Sequence, residues 1–201
     1  NGWSNIIGYH TRNIPHKGHE YIQRKALEKT HADGIFISPV RGMKKNNDFT
    51  AEVIISCYEK LIQDGFYDPF GVLLGSFNTF SRYSGPREAV FTAICRKNFG
   101  CNHFIVGRDH TGVGNYYSSD ASQKFFDVLD IGMKILTFGE VGYCTNKKSI
   151  IDYPSINKLE ISGTMIRNLI SNNQGFPPYL LSPVITKQIK QMLKEKKTFL
   201  H

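Results

Sequence analysis

The chain has 201 residues, 40% of them hydrophobic and 21% charged, the makeup of one globular domain or of one domain with a small C-terminal extension. Lys and Arg number 25 against 17 Asp and Glu, for a net charge of +8, which suits an anionic substrate such as a nucleoside triphosphate without identifying one. No apolar run is long enough to cross a bilayer, and the opening Asn1-Gly2-Trp3-Ser4 lacks the pattern of a signal peptide.

Taken in chain order, short apolar runs alternate with amphipathic stretches. Ile6 to Tyr9 reads as a buried strand, and Glu20 to Lys29 as a helix with Ile22, Ala26 and Leu27 on one face. Gly34 to Ser38 is a second strand, Ala51 to Gln63 a second helix and Gly71 to Leu74 a third strand. Pro86 to Phe99 is a third helix, with Pro86 suited to the first helical position. His103 to Val106 is a fourth strand and Lys134 to Thr137 a fifth. This alternation predicts an α/β fold, a Rossmann-like doubly wound parallel sheet with helices on both faces. Ligands bind such sheets beyond the carboxyl ends of the strands, so the segments after Tyr9, Ser38, Leu74, Val106 and Thr137 are expected to meet at one cleft.

Ser162 is placed to cap a helix running to about Ser171, and Asn172 to Pro178 reads as a loop leading to a last helix. In that helix Ile185, Ile189, Met192 and Leu193 are expected to turn inward. Lys187, Lys190, Lys194, Lys196 and Lys197 would then form a solvated face rather than a nucleic-acid contact. Residues 1–150 are expected to form the α/β core, and residues 151–201 to add the Ile161–Thr164 segment and a helical extension to the same unit.

The cysteines are Cys57, Cys95, Cys101 and Cys144. None stands in a Cys-x-x-Cys pair, so no structural zinc is expected, and reduced cysteines of a cytoplasmic enzyme are the reading preferred over a disulfide scaffold. The sequence opens without Met; a piece of a longer polypeptide, or a trimmed chain, is expected.

Three segments carry chemistry. After the first strand comes His10-Thr11-Arg12-Asn13-Ile14-Pro15-His16-Lys17-Gly18-His19, a dense set of donors and cations where a strand turns into a helix. A helix N-terminus offers unpaired N–H groups and partial positive charge to an anion. His16 and His19, three apart, can share one side of the first turn and donate hydrogen bonds to triphosphate oxygens. A metal site at this His-x-x-His pair would need a third ligand that the sequence does not offer. The fourth strand ends in Gly107-Arg108-Asp109-His110-Thr111-Gly112, a glycine-rich turn with cationic groups inside it. Near the C-terminus, Ser162, Thr164 and Arg167 form a second candidate phosphate clamp.

Together these segments resemble the ATP sulfurylase (sulfate adenylyltransferase) family of the nucleotidyltransferase superfamily that carries a His-x-x-His signature. His10-Thr11-Arg12-Asn13-Ile14-Pro15-His16-Lys17-Gly18-His19 is similar to the family's Gln-Thr-Arg-Asn-Pro-x-His-x-x-His. Gly107 to Gly112 is similar to its Gly-Arg-Asp-His-Ala-Gly loop, and Ile161-Ser162-Gly163-Thr164 to its late motif. Arg82 to Ala89 and Pro177-Pro178 also look like the family. The resemblance implies a nucleotidyltransferase (HUP-like) version of the fold, with Thr11, Arg12 and Asn13 as a catalytic trio and His16 and His19 stabilising the transition state. It implies ATP held by Gly107, Arg108, Asp109 and His110, a backbone contact from Val141 to adenine, and a response of Phe138 to ATP. The implied reaction joins ATP and sulfate to give adenylyl sulfate and pyrophosphate, in sulfate assimilation, by in-line attack on the α-phosphorus, with Mg²⁺ bound through the phosphates.

The departures fall on the acceptor side. The family's glutamine is His10, and its alanine is Thr111; with Arg12 these are the implied acceptor-binding residues. If His10 touches the acceptor, binding should strengthen as pH falls through the imidazole's titration; otherwise His10 packs against Tyr9 or a neighbouring strand. The alternatives carried forward are a nucleotidyltransferase for another oxyanion, such as a phosphonate, and a silent nucleotide-binding domain. ATP and a small oxyanion are the expected partners, with no nucleic acid or membrane. A homo-oligomer and a further N-terminal domain, as in the family, stay open.

Overall fold

The computed structural model describes residues 2–107 and 116–201. Strands β1 (Ile6–Thr11), β2 (Gly34–Pro39), β3 (Gly71–Leu74), β4 (His103–Val106) and β5 (Lys134–Thr137) form one sheet in the order β3-β2-β1-β4-β5. Every pairing in it is parallel, as the alternation of strand and helix predicts. The order reverses at β1, which has β2 on one side and β4 on the other.

Side-chain alternation along the strands separates the helices. Ile7, Tyr9, Ile35, Ile37 and Ile105 are buried in one core with α1 (Lys17–Thr30), α2 (Ala51–Gln63), α5 (Gly163–Ser171) and α6 (Pro183–Lys194). Phe104 and Val106 point the other way, into a smaller core with Ala93 of α3 (Pro86–Asn98) and Phe126 of α4 (Ala121–Asp127). Both faces are covered, which is why the central strands read as continuous apolar runs. Gly8 faces α3. A Cβ there would lie 2.8 Å from Cγ of Arg96, so the glycine marks a place where another chain segment crosses the strand closely.

Element bounds differ from expectation at informative points. Strand β1 runs on through His10 and Thr11, because both polar residues keep pairing with Ser38 and Pro39 of β2. Helix α1 starts at Lys17 rather than Glu20, capped by the His16 imidazole, which accepts from His19 N–H; no Ser, Thr, Asp or Asn announces that start. The α4 helix and a three-stranded antiparallel sheet of β6 (Gly142–Cys144), β7 (Ser149–Ile151) and β8 (Lys158–Glu160) are additions. Three-residue strands are too short to show a period.

In α6, Ile185, Ile189 and Met192 are buried, but Leu193 is 40% exposed, a correction to the expected inward set. One residue beyond Met192 turns the side chain by roughly 100°, past the flank of the buried stripe and in the last turn. The tail lysines are all exposed. No helix among the described residues is long and apolar enough to cross a membrane. Cys57, Cys101 and Cys144 are buried as free thiols, and Cys95 is half-buried.

Candidate functional site

A cleft of about 290 Å³ opens at the carboxyl ends of β1, β4 and β5. It sits where the strand order reverses, as expected for this sheet type. From the first segment His10, Thr11, Arg12, Asn13, His16 and His19 line it. Of the other predicted residues, Gly107, Val141, Ser162, Thr164 and Arg167 also line it. Arg108, Asp109, His110 and Thr111 lie outside the described residues.

The two histidines are stacked, with ring centroids 3.6 Å apart and planes 20° from parallel. Their hydrogen bonds assign their protons. His16 Nδ1 accepts from the His19 backbone N–H at 3.2 Å, so a neutral His16 carries its proton on Nε2 and can donate. His19 Nδ1 stands 3.3 Å from the Ile14 carbonyl oxygen, which only accepts, so Nδ1 carries the proton and Nε2 is a lone pair until the ring is protonated. Burial holds His16 well below the usual imidazole range, and the neighbouring His19 pushes the same way. Burial also lowers His19 to about 4. Without a ligand the stack is therefore neutral near pH 7, with one donor rather than the two that the sequence suggests.

Opposite the stack, Thr11 folds the segment after β1. Its hydroxyl donates to the Asn13 carbonyl at 3.0 Å and accepts from Asn13 N–H at 3.1 Å. Asn13 then reaches α5: Arg167 Nη1 donates to Asn13 Oδ1 at 3.0 Å, and Arg167 Nη2 to Thr164 Oγ1 at 2.7 Å. A Cβ on Gly163 would meet Asn13 Oδ1 at 2.5 Å, so only glycine lets the α5 N-terminus approach this closely. Ser162 caps α5, accepting from Met165 N–H at 3.2 Å, as expected. Helices α1 and α5 thus both start at the cleft and turn partial positive charge toward it.

Two cleft residues depend on a carboxylate that the sequence reading missed. Asp48 is 1% exposed. Its Oδ2 pairs with Arg12 Nη1 at 3.3 Å and accepts from Tyr83 OH at 2.8 Å, while its Oδ1 stands 3.6 Å from Arg167 Nη1. The Arg12 guanidinium also lies over the Tyr83 ring, 4.8 Å from its centre. The C-terminal tail anchors this loop: Asn47 N–H donates to His201 O, His201 N–H to Asp48 O and Thr50 N–H to Phe199 O. Asp48 sits in a polar run, Lys44 to Asp48, that reads as solvated loop, and its partners are far away in sequence, so no local pattern announces it.

On the remaining wall, Phe138, Glu140 and Val141 line the cleft after β5. Gln123 of α4 donates to both Val106 O at 3.1 Å and Phe138 O at 2.9 Å, tying the ends of β4 and β5. Lys158 of β8 holds Glu140 at 3.1 Å. His10 is buried and lines the cleft. Its Nδ1 is 3.0 Å from Nη2 of Arg96, a second residue missed from sequence, and its edge meets Phe77.

A family model described as ATP-sulfurylase matches residues 1–192. The sulfate adenylyltransferase of Pyrococcus abyssi is 42% identical over 195 residues, covering 94% of this chain and 51% of that protein. That of Staphylothermus marinus is also 42% identical, over 99% of this chain and 52% of its own length. The Synechococcus sp. enzyme is 40% identical, over 97% and 51%. The chain spans about half the length of these curated relatives. Among solved structures, a hexameric APS kinase from Thiobacillus denitrificans superposes with a TM-score of 0.64 at 16% identity, over 94% of this chain and 36% of that one. Thermotoga maritima TmcAL gives 0.60 at 14%, over 97% and 59%. At those identities the likeness shows the fold alone.

Two outcomes follow from the geometry. Between about pH 6.5 and 4 the unfolded chain holds a proton on His19 that the folded chain does not. Stability is therefore full above that window and falls as pH drops through it, by at most about 3 kcal/mol from this group. Urea unfolding from pH 7.5 to 5.5 should show the slope, and His19→Gln should reduce it, leaving the share that His16 contributes; an equal slope in the variant would refute the assignment. Asp48→Asn should remove the carboxylate that stands between Arg12 and Arg167 and cost about 3 kcal/mol. Millimolar pyrophosphate should restore more stability to this variant than to wild type. Equal increments in thermal unfolding would rule out a bridging role for Asp48.

Proposed function

The chain belongs to the ATP-sulfurylase family, and from that premise we propose that it transfers an adenylyl group from ATP to a small tetrahedral oxyanion, with sulfate the first candidate. The observation that carries the proposal is the stacked His16–His19 pair at the start of α1, facing Arg12, Asn13 and Arg167 across one cleft. Relatives at about 42% identity are named sulfate adenylyltransferase, which supports sulfate as the acceptor.

In the proposed reaction a sulfate oxygen attacks the α-phosphorus in line. The new S–O–P linkage forms as the bond to the bridging oxygen of pyrophosphate breaks, and pyrophosphate leaves with that electron pair. Arg12 presents a planar fork suited to two acceptor oxygens, set by Asp48 and Tyr83. His16 donates through Nε2 to the phosphates. A triphosphate beside His19 favours its charged form, so nucleotide binding raises its affinity for a proton and supplies the second donor where leaving-group charge grows. Thr164, Arg167 and the capped start of α5 hold further phosphate oxygens. Gly107, Arg108, Asp109 and His110 contribute to the nucleotide site, and Thr111 to the acceptor site. The wall after β5 offers the Val141 backbone to adenine, with Phe138 behind it.

Mg²⁺ is proposed to arrive with the nucleotide. Among the described residues no group of three or more His, Cys, Asp or Glu could hold an ion, and Glu140 in the cleft wall is engaged by Lys158. The cleft's donors and cations fit an ion carried on phosphate oxygens and water rather than by a protein cage. When bound, the ion neutralises charge on those oxygens.

The test is pyrophosphate release with ATP and a panel of oxyanions. Sulfate should be the best acceptor. His16→Ala and His19→Ala should each lower turnover roughly 10²-fold or more while changing ATP binding far less. No release with any oxyanion, or wild-type turnover in both variants, would overturn the reading.

A further inference from the structure

Arg96 is fully buried, yet no carboxylate neutralises it among the described residues. Its side chain leaves α3, passes over Gly8 of β1 and stacks on the Phe77 ring at 4.3 Å. Nη2 then reaches two acceptors, His10 Nδ1 at 3.0 Å and Ser38 O at 3.2 Å, while Nε and Nη1 find no hydrogen-bond partner. Leaving two donor groups of a buried cation unmatched is costly, and an apolar side chain would fill the space without that cost. The contact that the arrangement secures is the one to His10. The Phe77 segment is itself held to β2, with Phe77 N–H donating to Pro39 O at 2.8 Å.

A guanidinium donates and cannot accept. The Arg96 bond therefore requires a bare Nδ1 on His10 and places the ring proton on Nε2. Protonating the ring would set two N–H groups and two positive charges against each other at 3.0 Å. Among the described residues, the groups facing His10 from the packed elements are Arg96 from α3, Ser38 from β2 and Phe77 after β3; Arg12, on its own segment, shares the cleft wall. Of these, Arg96 and Arg12 are cations and oppose a third positive charge.

We infer that Arg96 is a positioning residue that holds His10 as the neutral Nε2–H tautomer, making it a fixed donor to the tetrahedral oxyanion beside Arg12. The inference rests on the proposed adenylyl-transfer reading for the identity of the anion. It removes the pH dependence expected from the sequence: acceptor binding should not strengthen through His10 as pH falls, because the imidazole keeps the same N–H at all working pH values.

The experiment is ¹⁵N NMR of the histidine side chains, paired with acceptor kinetics. In wild type, His10 should show a protonated Nε2 and a bare Nδ1 from pH 8 to 5.5, and sulfate should shift the Nε2 signal. In Arg96→Met the ring should titrate within that range. The acceptor KM should rise about tenfold at pH 8 and fall again as pH decreases, with the KM for ATP unchanged. In a His10→Gln background, Arg96→Met should add no pH dependence. The wild-type spectrum decides the tautomer even if Arg96→Met folds poorly. A wild-type His10 that titrates between pH 8 and 5.5, or an Arg96→Met acceptor KM that tracks wild type, overturns the inference. So does a locked ring that sulfate, phosphate and phosphonates all fail to shift. A locked ring that sulfate shifts, in a protein that releases no pyrophosphate, upholds the inference and fails the adenylyl-transfer reading instead.

Discussion

A cleft that gathers cations must be stable with nothing bound between them. Here Arg12 and Arg167, from opposite ends of the chain, converge on the same space, and Asp48 between them supplies the counter-charge. Buried ion pairs are weak sources of net stability, but removing one partner is costly because a buried charge is stranded. That asymmetry explains the effort spent on placing Asp48. Its loop is tied by backbone hydrogen bonds to residues 199–201, and α6 before them packs on α2. The geometry at the end of β1 thus depends on the last residues of the chain.

The same economy governs protons. Two stacked imidazoles 3.6 Å apart cannot both be charged cheaply. Burial keeps them neutral, and their backbone bonds assign opposite roles: His16 a donor, His19 an acceptor until protonated. The dipoles of α1 and α5 add fixed positive potential that needs no proton. A site built this way carries modest charge while both rings are neutral.

Much of the scaffold was legible because its signals are local. The five strands of the main sheet and the first three helices announce themselves through apolar runs, period and Pro86. The residues from His10 to His19 stood out because donors and cations crowd one strand-to-helix turn. What stayed hidden is relational. Asp48 looks like loop, Tyr83 like an ordinary turn residue and Arg96 like the solvated end of a helix; each gains meaning only from partners some 35 to 119 positions away. The start of α1 was displaced because an imidazole does the capping that Ser or Asp usually does. Leu193 keeps the i+4 spacing from Ile189 that marks one helical face, but it stands in the last turn of α6 and stays 40% exposed.

His10 illustrates how a substitution is interpreted by its surroundings. From sequence alone, histidine where the resembling family has glutamine suggests a new charge and a new acceptor. The structure supplies Arg96 and, through Gly8, the space for its stem. A cation that only donates converts the imidazole from a switch into a neutral donor, whose N–H, like that of an amide, does not depend on pH. The departure at position 10 therefore need not signal a change of substrate class. What distinguishes the two side chains here is shape: an imidazole ring is rigid, wedged by Phe77 on its edge, and holds its N–H in one direction where an amide could rotate. For an anion approaching Arg12, that means the second donor is already in place before binding, which is the form in which hydrogen bonds contribute most to orienting a nucleophile.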